Sequence, residues 1–508
     1  MKLGSVLCGI SLAVLSVARL AAQTHPLVYE VRSFGAAGDG KTLDTAAINR
    51  AITAAHAAGG GTVYFSAGTY ESGSIHLASN VALYFDQGAV LEATKDPQAY
   101  DEAEPNQWSQ YQDFGHSHFH NSLMWGEHLE NISIFGPGRI VGAGLTREGG
   151  QREGNKAIAL KLCHNVIIRD VSFLMCGHFA ILATGVDNLT ISGITIDSNR
   201  DGIDIDSCQN VRISDSAVNT PWDDAIVLKA THALGYARAT ENVTITNCEV
   251  SGYDNGTFLG GTFETKNYDV PDRMGPTGRI KIGTESEGDF KNITISNCVF
   301  ARCRGLALET VDGAHIEDVS ISNITMRDVV NAPIFLRLGA RMRAPEGVPI
   351  GSLQRVNISN VVVYNANPRA GALILGIPGH DIEDVTLGHI KIYYQGGGTK
   401  EEAAIEPPEL EKAYPEPQRF GETPVYGFYI RHVKGIELND VEVRYIKEDL
   451  RPAIQIEDTD GAKFIDVDAQ HAAGAPVFVL KNVSNFSTHD CAGLPDMRKI
   501  ETTTASYR

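Results

Sequence analysis

Asn199-Arg-Asp-Gly-Ile-Asp-Ile-Asp206 and Pro221-Trp-Asp-Asp-Ala-Ile-Val-Leu-Lys229 share one rhythm: an acid, a small residue, then apolar residues in alternation. Laid one on the other, Asp201 falls on Asp224, Ile203 on Ile226 and Ile205 on Leu228, 23 residues apart. A fold that uses this echo must bring a carboxylate back to the same place after one repeat.

The echo belongs to a longer series. An Asn or Asp followed by apolar-x-apolar recurs at Asn131, Asn165, Asn188, Asn210, Asn242, Asn292 and Asp318, with weaker copies at Val356, Val385 and Ile436. Several steps are 22 to 26 residues long, and a repeat of that size means a solenoid. The alternation of period two and the wealth of Val, Ile and Thr make the repeats strands, which excludes helical repeats. Ile and Val stand where a leucine-rich repeat would need Leu. The pattern predicts an all-β chain, a right-handed parallel β-helix of about three short strands per turn, each pairing with its equivalent about 4.8 Å away. The recurring Asn is expected to stack at a bend and to offer its amide to backbone groups.

Steps longer than one turn must leave the coil as loops. Asn242 to Asn292 carries a Gly- and Pro-rich insertion, and Gln395 to Pro424 carries an acidic, Pro-bearing run, read as a solvated excursion in preference to a substrate lid. Ahead of the repeats, Tyr29 to Ile52 reads as a strand, a turn and an amphipathic helix with Ala47, Ile48, Ala51 and Ile52 on one face. The expected organisation is a signal peptide at 1–22, an N-terminal cap and first coils at 23–100, a catalytic coil at 101–490 and a C-terminal tail at 491–508. The leader reading rests on Lys2, the apolar run Val6 to Leu20 and small Ala21-Ala22. It implies export to the periplasm or the medium.

With 508 residues and 43% hydrophobic content the chain can bury a large core. A net charge of −19 argues against nucleic acid and anionic membranes as partners, and a monomer is expected. Eight cysteines are too few to be the framework; Cys248 and Cys298, each closing an Ile-x-Asn-Cys phrase, read as stacked core residues.

In such a coil Asp201 and Asp224 stack on adjacent turns, with Asp223 beside them. Mutual repulsion raises the proton affinity of at least one of the three, and carboxylates with separated pKa values are what glycoside hydrolysis requires. Solvated decoration or calcium binding is the alternative. Asp204 and Asp206 are read as decoration or as positioning groups.

These motifs resemble glycoside hydrolase family 28, the polygalacturonases and rhamnogalacturonan hydrolases. The resemblance starts at Phe34-Gly-Ala-Ala-Gly-Asp-Gly-Lys-Thr-Leu-Asp44, similar to the opening of pectin-degrading β-helix proteins. It continues through Asn199-x-Asp201, Asp223-Asp224, Lys229, Ile282-Gly-Thr-Glu285 and Arg304-Gly-Leu306. It implies inversion of configuration, with Asp223 as general acid and Asp201 plus Asp224 activating water, no cofactor and no metal, and a pectic poly- or oligosaccharide as substrate. Two departures stand out. The family's Gly-His-Gly is replaced by Pro276-Thr-Gly-Arg279, and its Arg-Ile-Lys by Ala307-Leu308-Glu309 after Arg304-Gly-Leu306. Arg279-Ile-Lys281 occurs one turn early. Either Arg279 and Lys281 supply the charge from that turn and keep a galacturonate specificity, or the subsite takes another pectic sugar such as rhamnose; an outward strand alternation is the structural alternative.

Asn199, Lys229, His178, Trp222, Arg279, Lys281, Glu285, Arg304 and Glu309 are the candidate substrate-binding residues. Trp222 would stack on a sugar or serve as a buried structural residue, and His178 would line the cleft one turn before Asp201. His116, His118 and His120 alternate along an expected strand, where metal binding is the less favoured reading. Arg337, Arg341 and Arg343 read as a solvated basic loop in preference to a collector of the carboxylates of a pectic chain. A polysaccharide lyase and a non-catalytic carbohydrate-binding β-helix remain the alternative functions.

Overall fold

The computed structural model describes residues 28–266 and 275–507. The expected leader, and residues 267–274 of the long insertion, lie outside the described residues. The chain winds as a parallel β-helix. Strands Phe179–Thr184, Asp201–Asp206, Ile226–Ala230 and Ile280–Ser286 pair successively in parallel, and the strands that follow each of them build the other faces. The register is the one the echo demanded: Ile203 pairs with Ile226 and Ile205 with Leu228.

Inward residues stack in columns. Ile205, Leu228, Ile282, Leu308, Leu336, Ile374, Ile430, Ile456 and Leu480 follow one another turn by turn, all buried. Burying each such side chain stabilises the coil by about 1.5–3 kcal/mol before entropy is counted. The weaker sequence copies are true equivalents, since Val319, Val356, Val385 and Ile436 also stack. The seven cysteines among the described residues are free and buried.

Three features differ from expectation. Past residue 290 strands that are separate in the earlier turns run together, two of them in Phe290–Ala301 and all three in Phe428–Lys447. The bend survives there in single left-handed residues such as Asn297, Asn323 and Asn360 (φ 56°, 57° and 54°). The Asn ladder exists, but its amides bond each other rather than the backbone: Asn165 donates to Asn131 (3.1 Å), Asn188 to Asn165 (3.2 Å) and Asn292 to Asn242 (2.7 Å). The bend holds each Asn left-handed, a conformation Asn tolerates, and strand spacing brings successive amides to bonding distance. Finally, the stretch expected as a tail holds a strand, Met497–Tyr507, that runs antiparallel to Phe478–His489.

At the other end the helix Thr45–Ala57 buries Ala47, Ile48, Ala51, Ile52 and Ala55 against the first strands. Asp44 fastens the preceding turn, accepting from the backbone N–H groups of Ala37 (2.7 Å) and Gly38 (2.9 Å).

Candidate active site

On most of the coil outward residues meet solvent: in His164–Arg169 only Val166 and Ile168 are buried. The acid-bearing strand is different. In Asp201–Asp206 every residue is buried, the outward acids included, because chain segments that leave the coil elsewhere fold back over this face.

Asp201 opens its strand, and the backbone ladder continues past it: Gly202 N–H donates to Asp224 C=O (3.0 Å) and Ile203 N–H to Ala225 C=O (2.9 Å). A β-carbon on Gly202 would lie 2.4 Å from the Ala225 oxygen, so the close approach of the two turns requires glycine there. Asp223 stands at the turn just before, its carboxylate accepting from the Asp224 N–H (3.0 Å). Asp201, Asp223 and Asp224 each offer a carboxylate oxygen, all within 4.8 Å of one another. Asp201 and Asp224 are almost fully enclosed, whereas the Asp223 side chain keeps 32% of its surface open.

Cations stand on both sides of the trio. Arg200 Nε lies 3.4 Å from Asp223 and 3.7 Å from Asp201, and its other end reaches Glu148 at 2.9 Å. Across the cluster Arg279 donates to Asp224 (2.9 Å) and Lys281 sits 3.4 Å from it. The two sides are unequal, and the acids respond. Burial, then the charges of Asp223 and Asp204, push the Asp201 carboxyl well above the usual range. Burial and the adjoining Asp224 raise Asp223, a shift that its open surface tempers. Burial also works on Asp224, but Lys281, Arg279 and Lys229 outweigh it and hold this group down at about 2. The cluster thus drives its members apart, favouring the ionised form of Asp224 and raising the proton affinity of Asp201 and Asp223. Three carboxylates at this spacing are also a donor set able to hold a cation, with Arg200, Arg279 and Lys281 already supplying positive charge.

Behind the trio lies a second buried set. Lys229 Nζ is 3.4 Å from Asp204, 3.5 Å from Glu285 and 2.9 Å from His116 Nε2. Burial raises Asp204 to about 8 despite Lys229. Asp206 is structural: it accepts from Thr231 N–H (2.8 Å) and the hydroxyls of Thr231 (2.7 Å) and Thr184 (3.2 Å).

The predicted binding residues divide. Lys229, Arg279, Lys281, Glu285, Arg304 and Glu309 all belong to the buried charge network around the acids. Lys281 meets Glu309 at 3.3 Å and Arg304 meets Glu416 at 3.0 Å, while Glu285 is paired with Lys229 and Arg343. Arg279 and Lys281 are therefore not a solvated strand alternation. Lys281 does pair with Ala307 in the next turn, so the cations sit one strand early, as the sequence indicates. Trp222 is half-buried beside Asp223 and carries Arg147 over its ring at 4.3 Å. Asn199 accepts from Gly177 N–H (3.1 Å) and so holds the turn. His178 is stacked on Phe179, ring centroids 4.0 Å apart, and burial keeps it neutral.

Three expectations are overturned. His116, His118 and His120 do not share a strand: His116 lies in the short helix Phe114–Ser117, His118 bonds the Glu104 carbonyl and His120 faces Glu127. The excursion 397–427 is not merely solvated; it sends Glu416 into the cation cluster, 2.6 Å from Arg279, and Tyr414 against Thr284 (3.1 Å). The basic loop is likewise tied down. Arg337 is buried and donates to the carbonyls of Gly376, Glu409 and Leu410, Arg341 pairs with Asp312, and Arg343 with Glu285 and Asp113. Arg200, Tyr414 and Glu416 were not among the residues the sequence pointed to, and His116 was weighed there only as a metal ligand. Arg200 alone had a signal, its place between Asn199 and Asp201.

Comparison with known proteins places two family models on the chain. One described as rhamnogalacturonase A/epimerase, pectate lyase-like, matches residues 28–134, and one described as glycosyl hydrolases family 28 matches residues 109–272. The second spans all three acids and ends before Arg279. A probable polygalacturonase of Vitis vinifera is 26% identical over 375 residues, covering 66% of this chain and 73% of that protein. In fold the chain is similar to a family 28 exopolygalacturonase of Yersinia enterocolitica (TM-score 0.64, 17% identity, 86% of this chain and 78% of that one). It is also similar to a hyperthermoactive exopolygalacturonase of Thermotoga maritima (TM-score 0.58, 20% identity, 73% and 88%).

Proposed function

We propose that this chain, a glycoside hydrolase family 28-like, pectin-degrading β-helix enzyme, hydrolyses glycosidic bonds of pectic polysaccharide with Asp201, Asp223 and Asp224 as its catalytic groups. One observation carries the assignment of roles: three carboxylates within 4.8 Å of one another whose proton affinities are driven in opposite directions by fixed neighbours. Asp223, its proton affinity raised and its side chain open to the cleft, is the acid and gives its proton to the leaving oxygen. Asp224, ionised and gripped by Arg279 and Lys281, takes the proton of the attacking water, and the Asp201 carboxyl helps to orient that water. Arg200 compensates the charge left on Asp223 once its proton has gone.

The spacing itself is shorter than the roughly 6.5–9.5 Å usual for an inverting pair of carboxyl groups. Inversion therefore rests on the ionic clamp on Asp224 and on the family resemblance, and the stereochemistry of the product is the informative measurement. Pectic polymers are too large to cross a membrane, so export belongs to the same proposal. The test of hydrolysis is product analysis on homogalacturonan and rhamnogalacturonan. New reducing ends without an ultraviolet-absorbing unsaturated sugar support hydrolysis; the unsaturated sugar would make the chain a lyase. Undiminished sugar release by Asp223→Asn would remove Asp223 from the acid role.

A further inference from the structure

The cations on the Asp224 side of the cluster end on carboxylates of the protein itself. Arg279 divides its N–H groups between Asp224 (2.9 Å) and Glu416 (2.6 Å), Arg304 meets the other Glu416 oxygen at 3.0 Å, and Lys281 lies between Asp224 (3.4 Å) and Glu309 (3.3 Å). Glu309 belongs to the coil. Glu416 does not: it arrives from the excursion 397–427, 137 residues beyond Arg279, and is 7% exposed.

The excursion is built to deliver it. Pro415 and Pro417 bracket Glu416 and restrict the backbone on both sides. Phe420, in the following turn Pro417–Phe420, is anchored in a small apolar cluster with Ala307, Phe335, Leu373 and Tyr429. A side chain held in this way loses little freedom on entering the cation cluster, so its ion pairs are favoured in the free enzyme. Two residues earlier Tyr414 sets its hydroxyl 3.1 Å from Thr284 Oγ1 and leaves 39% of its surface exposed, an aromatic flank beside the acids.

Resting on the hydrolase reading above, we infer that Glu416 occupies, from within the chain, the position that a substrate carboxylate would take beside Asp224, and that the sugar bound on this side of the cleavage point is a neutral one. A uronate there meets Glu416, Asp224 and Glu309 with their countercharges already engaged, so its own carboxylate is repelled and left unpaired. A neutral pyranose meets the same surface without that penalty and lies along Tyr414. The excursion thus sets specificity, and Glu416 does so by cancelling charge.

The experiment compares cleavage rates on homogalacturonan oligomers, uronate throughout, and on rhamnogalacturonan oligomers, in which uronate alternates with neutral rhamnose. The unmodified protein is expected to cut the second faster. In Glu416→Gln the ratio of the two kcat/KM values is expected to move toward homogalacturonan by about tenfold or more, the scale of one charge-assisted hydrogen bond between a freed arginine and the uronate. Thermal melting reports whether the variant is folded. A wild-type preference for homogalacturonan overturns the inference whether or not the variant folds, and leaves the hydrolase reading standing. A folded variant that slows on both substrates by the same factor also overturns it, since that is a structural role. If neither oligomer is cut, the hydrolase reading fails separately. Calorimetric binding then decides the inference: tighter binding of the rhamnogalacturonan oligomer supports it, and equal, reversed or absent binding overturns it.

Discussion

The face of the coil that carries Asn131, Asn165 and Asn188 and the face that carries Asp201 and Asp224 are made by the same repeat, and they differ in what lies outside them. Beyond the Asn face there is water. Asn165 and Asn188 each donate to their copy in the preceding turn, and the outward residues are exposed or half-exposed. Over the acid face lie chain segments from three distant places, bringing His116, Arg343 and Glu416 to the outward acids and bases. The difference teaches a division of labour. The coil supplies a spacing that puts equivalent residues on top of one another; the excursions supply the dielectric and the countercharges that make equivalent residues unlike. Asp201 and Asp224 occupy the same place in successive turns, yet one is pushed up and the other held down at about 2.

Breaking the acid face at its open member should have the largest effect. Asp223→Asn is expected to lower kcat by about 10²–10⁴, the usual contribution of a positioned acid, with the melting temperature nearly unchanged because the side chain is partly exposed. Steady-state kinetics with reducing-end detection and a thermal melt check both halves.

Next comes the asymmetry between the two stacked acids. Lys281→Met removes a cation from Asp224 and should raise the proton affinity of that group, moving the acidic limb of the kcat/KM profile to higher pH. Stability should follow the same sign. A carboxyl held below its unfolded value contributes stability that is present above the unfolded pKa and is lost as pH falls toward the folded one. Lys281→Met should therefore shrink the loss of melting temperature seen in wild type between about pH 4 and pH 2. An unmoved acidic limb would mean that Lys281 does not set the charge on Asp224.

Asp204 supplies the opposite sign on the same face. Its folded pKa is raised to about 8, so between the unfolded value near 4 and pH 8 the folded state holds a proton that the unfolded state has released. Stability then falls as pH rises through that window. Asp204→Asn should flatten this fall, read as melting temperature against pH.

The smallest effect belongs to the Asn face. Asn188→Ala breaks one rung of the ladder and places alanine at φ 55°, at a cost of about 1–2 kcal/mol in a urea melt, with kcat and KM unchanged. A change in catalysis from this substitution would mean that the two faces are not separable.

The same comparison explains how much was legible in the sequence. Everything that depends on stacking could be read: the coil, the register of Ile203 on Ile226, the meeting of Asp201 with Asp223 and Asp224, and the weak copies at Val356, Val385 and Ile436. Stacking is a relation between residues one period apart, and a repeat displays it. The partners brought by excursions carry no period. Nothing near Glu416 points to Arg279, and a Pro-bracketed glutamate in an acidic run has the composition of a solvated loop. The three histidines misled for the converse reason, because residues at alternate positions look like a strand even where a helical turn ends between them and irregular chain follows.

The central claim is that Asp223 gives a proton while Asp224, clamped and ionised, works with Asp201 on water. The most direct test is nuclear magnetic resonance of the first product formed from a pectic oligosaccharide, recorded before mutarotation. The new reducing end is expected to appear with inverted configuration. Retention at that carbon would contradict it, because a carboxylate of the cluster would then be attacking the sugar itself.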